Sequence, residues 1–233
     1  MLGSGQREVN VWIFRAGIGA RALPDVLSIE DRQRIDRYRL PRDRQLREVA
    51  WTGIRIALGL ALGQPPHRLR FTRTCRHCGG SHGKPRLDGR EADEFDFSLS
   101  HAGELAVVAI GHNRDVGVDV ETIGPTFDWQ EIRMALPTKS RDQVASLPKH
   151  KQAKGFLHEW VRLEAAAKVT GFGLREEVKQ HTCSVQLSWL EFEPMPMYAA
   201  AVAASGMEPL STPVLDGFAL IEAAQHRDGS SSP

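Results

Sequence analysis

Between Val116 and Glu121 the chain reads V-G-V-D-V-E, and this is the stretch that most restricts the fold. Strict alternation puts Val116, Val118 and Val120 on one side of an extended strand and Gly117, Asp119 and Glu121 on the other. The two carboxylates then share a face and stand close enough to hold one cation. A second stretch, Phe156 to Lys168, reads as a helix with Glu164 and Lys168 one turn apart. If that helix packs beside the strand, three carboxylates and an ammonium converge. Such a cluster suits a divalent cation holding a pyrophosphate. Taken singly, the strand acids also fit a polar strand face, and the Glu–Lys pair also fits a solvated helix.

The order of motifs narrows these readings. G-V-D-V-E is followed by W-x-x-x-E-A-x-x-K-x-x-G-x-G-L (Trp160, Glu164, Ala165, Lys168, Gly171, Gly173, Leu174). Upstream lie Gly83-Lys84-Pro85 and Ser98-Leu99-Ser100-His101. Together they resemble the Sfp-type 4′-phosphopantetheinyl transferases, and the resemblance extends from about residue 28 to 204. Two positions depart from that family: Leu163 stands where a lysine is expected before the helix glutamate, and Ser98 replaces the usual asparagine.

Composition sets outer limits. A chain of 233 residues, 41% hydrophobic and 25% charged, is ordinary for a soluble globular protein and too short for two large domains. A formal charge of +1 gives no global field toward nucleic acid or an anionic membrane. No apolar run approaches the length of a membrane span, and residues 1–10 lack a signal pattern. Three cysteines, an odd number, argue against a disulfide scaffold, so a cytoplasmic protein is expected.

Along the chain, Glu8 to Phe14 reads as an opening strand. Ser28 caps a helix with Asp31 at the capping-box position, and Pro41 starts a fresh helix. Eight arginines fall between Arg32 and Arg55; interleaved acids favour a solvated face for most of them over a nucleic-acid stripe. Cys75 and Cys78, with His77 and His82 nearby, invite a zinc reading. The two cysteines and His82 leave a tetrahedral site one ligand short unless His181 or Cys183 joins it, so a glycine-rich loop with reduced thiols is preferred. Phe95, Phe97 and Leu99 alternate with Asp96, Ser98 and Ser100 as a strand ending at His101. Residues 105–110 and 116–120 are expected to pair as a hairpin across 111–114. Thr138 to Lys154 reads as polar and irregular, the Trp160 helix as ending at Gly171, 185–192 and 198–204 as strands, and 218–221 as a last strand.

The resemblance implies an α+β fold. It would comprise two similar subdomains related by a pseudo-twofold, each a mostly antiparallel sheet with a packed helix. The expected division is 1–112, 113–225 and a disordered tail, 226–233, with coenzyme A in the cleft between the halves. It implies transfer of 4′-phosphopantetheine from coenzyme A to a serine of an acyl or peptidyl carrier protein, releasing 3′,5′-adenosine bisphosphate. Asp119, Glu121 and Glu164 would hold Mg2+, and Lys168 would bind a phosphate oxygen. Glu164 would take the serine proton, directly or through a metal-bound water. Arg34, Arg73, Lys84, Ser100 and His101 would hold the nucleotide's phosphates. The protein is expected to be a monomer, with no nucleic-acid or membrane partner. Two other readings stay open: a degenerate homologue that binds coenzyme A or a carrier without transfer, and a magnesium-dependent phosphohydrolase.

Overall fold

Helix, sheet, sheet, helix: the protein is stacked in that order, as seen in a computed structural model that describes residues 8–17, 23–89, 93–122, 128–174 and 186–229. The first sheet contains β1 (Glu8–Arg15), β4 (Phe95–Ala102), β5 (Leu105–His112) and β9 (Val214–Asp216), in the order β4-β5-β1-β9. The second contains β6 (Val116–Thr122), β7 (Leu187–Phe192) and β8 (Tyr198–Ser205), in the order β6-β8-β7. A short ladder, β2 (Phe71–Thr72) with β3 (Arg86–Leu87), stands apart from both. All pairs are antiparallel except β1 with β9. The expected α+β class, sheets rich in antiparallel pairing with helices packed on them, is what the chain adopts.

Alternation along the strands builds the layers. Trp12, Phe14, Phe95, Phe97, Val108 and Ile110 face one way and meet Leu46, Ile54 and Leu58 of helix α2 (Pro41–Leu62). Val9, Val11, Val107 and Ala109 face the other way and meet Val116, Val118, Val120, Ala200 and Val202 of the second sheet. On its far side that sheet offers Ala199, Ala201 and Ala203 to Leu157, Val161, Ala165 and Val169 of helix α5 (Lys149–Thr170). β8 is therefore covered on both faces, as its small apolar composition requires.

Helix α1 (Ile29–Ile35) begins at the predicted Ser28–Asp31 capping box, and α2 has Pro41 at its first turn. Asp31 also binds buried Arg55 at 2.5 Å, which ties α1 to α2.

Three sequence expectations are corrected. β5 and β6 do not form a hairpin: β5 pairs with β4 and β1, and β6 with β8. Periodicity fixes which face a residue takes but not which strand lies alongside. Residues 138–154 are not irregular. Helix α4 (Thr138–Ser146) and the first turns of α5 occupy them, because Val144 and Phe156 close a small core with Trp129 and Leu136. Trp129 belongs to a single-turn helix, α3 (Trp129–Ile132).

The segment 218–221 is helical: α6 (Gly217–Gly229) packs Phe218 and Ile221 into the α2 core and extends through residues expected in a disordered tail. The boundary at 112/113 separates the two sheets, yet β9 and α6 return to the first one. Residue 185, and with it His181 and Cys183, lies outside the described residues.

Candidate active site at the seam between the sheets

Strand β6 has β8 on one edge only, and its other edge is met by side chains of β4. The Asp96 carboxylate accepts from Val116 N–H at 2.8 Å, and Ser98 Oγ accepts from Val118 N–H at 3.1 Å. Ser100 Oγ then donates to Asp119 Oδ1 at 2.7 Å. The polar alternation read in Asp96, Ser98 and Ser100 thus supplies a ladder in place of a neighbouring strand. Ser98, at the position where an asparagine was expected, serves as a rung of that ladder.

Helix α5 reaches this seam because β6 carries a glycine beneath it. A Cβ at Gly117 would lie 1.9 Å from the Ala165 carbonyl and 2.7 Å from Val169 N. This close approach lets Lys168 Nζ reach Asp119 Oδ1 at 2.7 Å and Ser100 Oγ at 3.0 Å. The cross-strand neighbours of Asp119 and Glu121 are Ala201 and Ala199, whose small side chains leave the acids room.

The predicted acid cluster is brought together. Asp119 is 3% exposed, and its Oδ2 has no hydrogen-bond partner. Burial pushes Glu121 up to about 7, helped by the Asp119 and Glu164 charges and opposed by Lys168. Burial and Asp119 likewise raise Glu164. These are oxygen ligands under mutual repulsion with one orphaned lone-pair site, an arrangement that suits a hard cation such as Mg2+. Their oxygens are not gathered tightly round one point. Among the described residues, the trio of potential ligand atoms lying within 4.8 Å of one another is Cys75, Cys78 and His82.

Two cavities adjoin the seam and share Pro85 and Leu99 in their walls. One, of about 560 Å³, is lined by Lys84, Ser98, Glu164, Lys168 and Gly171, with Cys75 and His82 at its side. The other, of about 360 Å³, gathers Arg34, Arg37, Arg47, Arg73 and His101 with Trp51. Arg73 Nε is buried without a partner, and burial, then the Arg34 charge, lowers its pKa. His101 stands at the open side, its ring against the Arg47 guanidinium. Burial of the ring, then Arg47 and Lys168, push its imidazole down to about 4. Several cations held this close suit an anionic ligand.

Lys84, expected at the nucleotide's phosphates, lines the larger cavity. Its ammonium, 8% exposed, is bound by the Asp96 carboxylate and by the Val116 carbonyl at 2.6 Å. It thereby ties the halves together. Arg47 was the residue missed. It lies on α2 in step with Trp51, Arg55 and Leu58, at helical spacing of three or four, and all four are buried. That shared face was the signal available in the sequence.

Leu163 does not pack on the sheet. With Trp160 it meets Trp129, Leu136, Val144 and Phe156 on the flank of α5. Arg162, on another side of α5 from the acids, pairs with Glu191 at 3.2 Å.

Comparison with known proteins fits this geometry. Residues 20–113 match the family described as "4'-phosphopantetheinyl transferase, N-terminal". The chain is 32% identical over 218 residues to the 4'-phosphopantetheinyl transferase HetI of Nostoc sp., covering 85% of this chain and 88% of that protein. It is 26% identical over 156 residues to the 4'-phosphopantetheinyl transferase AcpT of Salmonella typhi, covering 66% and 69% of the two chains. It is 34% identical over 92 residues to the 4'-phosphopantetheinyl transferase psf-1 of Bacillus pumilus, covering 40% and 38%.

Proposed function

Since the chain belongs to the 4′-phosphopantetheinyl transferase family, we propose that it moves 4′-phosphopantetheine from coenzyme A to a serine of an acyl or peptidyl carrier protein. The serine oxygen forms a bond to the pantetheine phosphorus, the pyrophosphate P–O bond breaks, and 3′,5′-adenosine bisphosphate leaves. The observation that carries this reading is the seam itself: buried Asp119, with Glu121, Glu164 and Lys168, beside a cavity lined by four arginines.

Asp119, Glu121 and Glu164 would hold Mg2+, which when bound neutralises charge on the pyrophosphate. Asp119 Oδ2, buried and unpartnered, supports that fit. Lys168, already bonded to Asp119 and Ser100, turns its ammonium to a phosphate oxygen when substrate enters. Glu164 takes the serine proton. Arg34, Arg73 and His101, with Arg47 beside them, take the nucleotide's phosphates, and Ser100 orients Asp119. Cys75 and Cys78, both outside any disulfide, accord with a reducing, cytoplasmic setting. We take the enzyme to act as a monomer that meets its carrier transiently.

The test is mass spectrometry of fatty-acid, polyketide and nonribosomal-peptide carriers incubated with coenzyme A and Mg2+. The expected result is a gain equal to the phosphopantetheine arm on at least one carrier serine, abolished in Asp119→Ala with the fold intact. Parental transfer by Asp119→Ala would remove the metal assignment. Binding of coenzyme A without any transfer would favour a degenerate homologue. Release of phosphate from simple monoesters would favour a hydrolase.

A further inference from the structure

The loop between β2 and β3 holds two cysteines and a histidine that the transfer reaction does not use. Their potential ligand atoms all lie within 4.8 Å of one another, and Cys78 Sγ is 3.0 Å from His82 Nε2. Neither sulfur is in a disulfide. The backbone is folded around the group. Cys75 N–H donates to the Gly80 carbonyl at 2.7 Å, and Gly79 N–H donates back to the Cys75 carbonyl at 2.9 Å. Gly79, directly after Cys78, takes a left-handed φ of 72°, which turns the chain so that both sulfurs lie beside the His82 ring. At Gly80 a Cβ would come within 3.2 Å of the His82 ring and 3.4 Å of Cys78 Sγ, so the missing side chain leaves the space to the ligand atoms.

We propose that Cys75, Cys78 and His82 hold a zinc ion, with water in the fourth position. The spacing C-x-x-C-x-x-x-H is within the range of such sites, and three protein ligands with one open position is an established zinc arrangement. With zinc–ligand bonds of about 2.3 Å to sulfur and 2.0–2.1 Å to nitrogen, tetrahedral geometry separates sulfur from nitrogen by about 3.6 Å. The Cys78–His82 pair must therefore open by roughly half an ångström, which an exposed loop allows. On binding, each thiol loses its proton to solvent and becomes a thiolate, and the imidazole binds neutral. The ion would clamp a loop whose ends are joined by Gly83 N–H to the Arg73 carbonyl at 2.8 Å. Arg73 and Lys84, flanking that junction, line the two cavities. The clamp would thus set the distance between the walls.

The experiment is elemental analysis of the full chain purified under reducing conditions with added zinc, then dialysed against metal-free buffer. The expected result is about one zinc per chain, held by the parent and by Asp119→Ala but lost in Cys78→Ser and His82→Gln. Zinc loading should raise the parent's melting temperature and leave those of the two loop variants unmoved. Replacement by Co2+ should give a sulfur-to-metal charge-transfer band only where both cysteines remain. Zinc that survives dialysis equally in Cys78→Ser, or that disappears with Asp119→Ala, would move the ion to the acid cluster and overturn the proposal. So would a metal-free parent, or one carrying a Cys75–Cys78 disulfide.

Discussion

Lys84 and Arg73 divide two tasks that the sequence alone would give to any basic residue near an anionic ligand. Lys84 lies between the Asp96 carboxylate and the Val116 carbonyl, with Arg86 3.5 Å from Asp96. Burial pulls the Lys84 pKa down and pushes Asp96 up, and each partner opposes the other's shift. Removing one member of such a pair strands a buried charge at a cost of about 3–5 kcal/mol. Lys84→Ala should therefore unfold at markedly lower urea, whatever its effect on ligand. Arg73→Ala, which removes a guanidinium whose Nε is buried without a partner, should keep the parental midpoint. It should weaken coenzyme A by an amount on the order of 1–3 kcal/mol. Urea melts and calorimetric titration of both variants separate these roles, and equal stability losses would remove the distinction. Asp119, Glu121, Glu164 and Lys168 were legible because each follows a fixed spacing within one element. Lys84 was not, because its partner Asp96 lies on another strand and no local spacing connects them.

At the level of elements, the contact between β6 and α5 decides whether the site exists. A methyl group at Gly117 cannot fit 1.9 Å from the Ala165 carbonyl, so the helix must back away from the strand. Gly117→Ala should then lose transfer activity, since Lys168 no longer spans to Asp119, and should lower the melting temperature. Retained activity with crystallographically unchanged spacing would show the contact to be softer than it looks. The other flank of α5 poses the question of Leu163. It is half-buried in a small cluster with Trp160, so a lysine there can lay its stem along the same apolar groove and bring its ammonium to water. Leu163→Lys should fold, lose about 1 kcal/mol or less, and leave transfer unchanged or raised. Turnover with a known carrier, beside melting curves, checks this; a silent parent rescued by the lysine would point to a degenerate homologue. The amphipathic face of α5 was readable, whereas the layer that covers it was not. Periodicity shows that a face is apolar without saying whether a sheet or another helix lies opposite.

For the molecule as a whole, stability should depend on pH through His101. Its folded pKa of about 4 lies below the ordinary 6.5, because of burial and then the facing Arg47 and Lys168, with Asp43 opposing. In the unfolded chain the imidazole takes up a proton near 6.5, while in the folded protein it resists until about 4. The contribution is complete above 6.5, declines as pH falls toward 4, and is gone below that. Melting curves should show the parent losing more stability than His101→Gln between those limits. A constant difference between parent and variant would contradict the shift. The tertiary order behind this behaviour was the part the sequence left least visible. The two sheets could be assigned strand by strand, but the return of β9 to β1 joins residues two hundred positions apart, and no local signal marks it.

That return also fixes a timetable. β1 leaves the ribosome about two hundred residues ahead of β9. It bonds to β5 along one edge, whereas its other edge is closed by Val214–Asp216 and by Thr212 Oγ1 donating to the Val9 carbonyl at 2.5 Å. Until those last residues emerge, the nascent chain presents an unpaired strand edge and, with Phe218 and Ile221 still missing, an uncovered patch of the α2 core. The first sheet cannot close before β9 and α6 have been synthesised, so termination of translation ahead of them leaves an open β-edge ready to pair with a second chain.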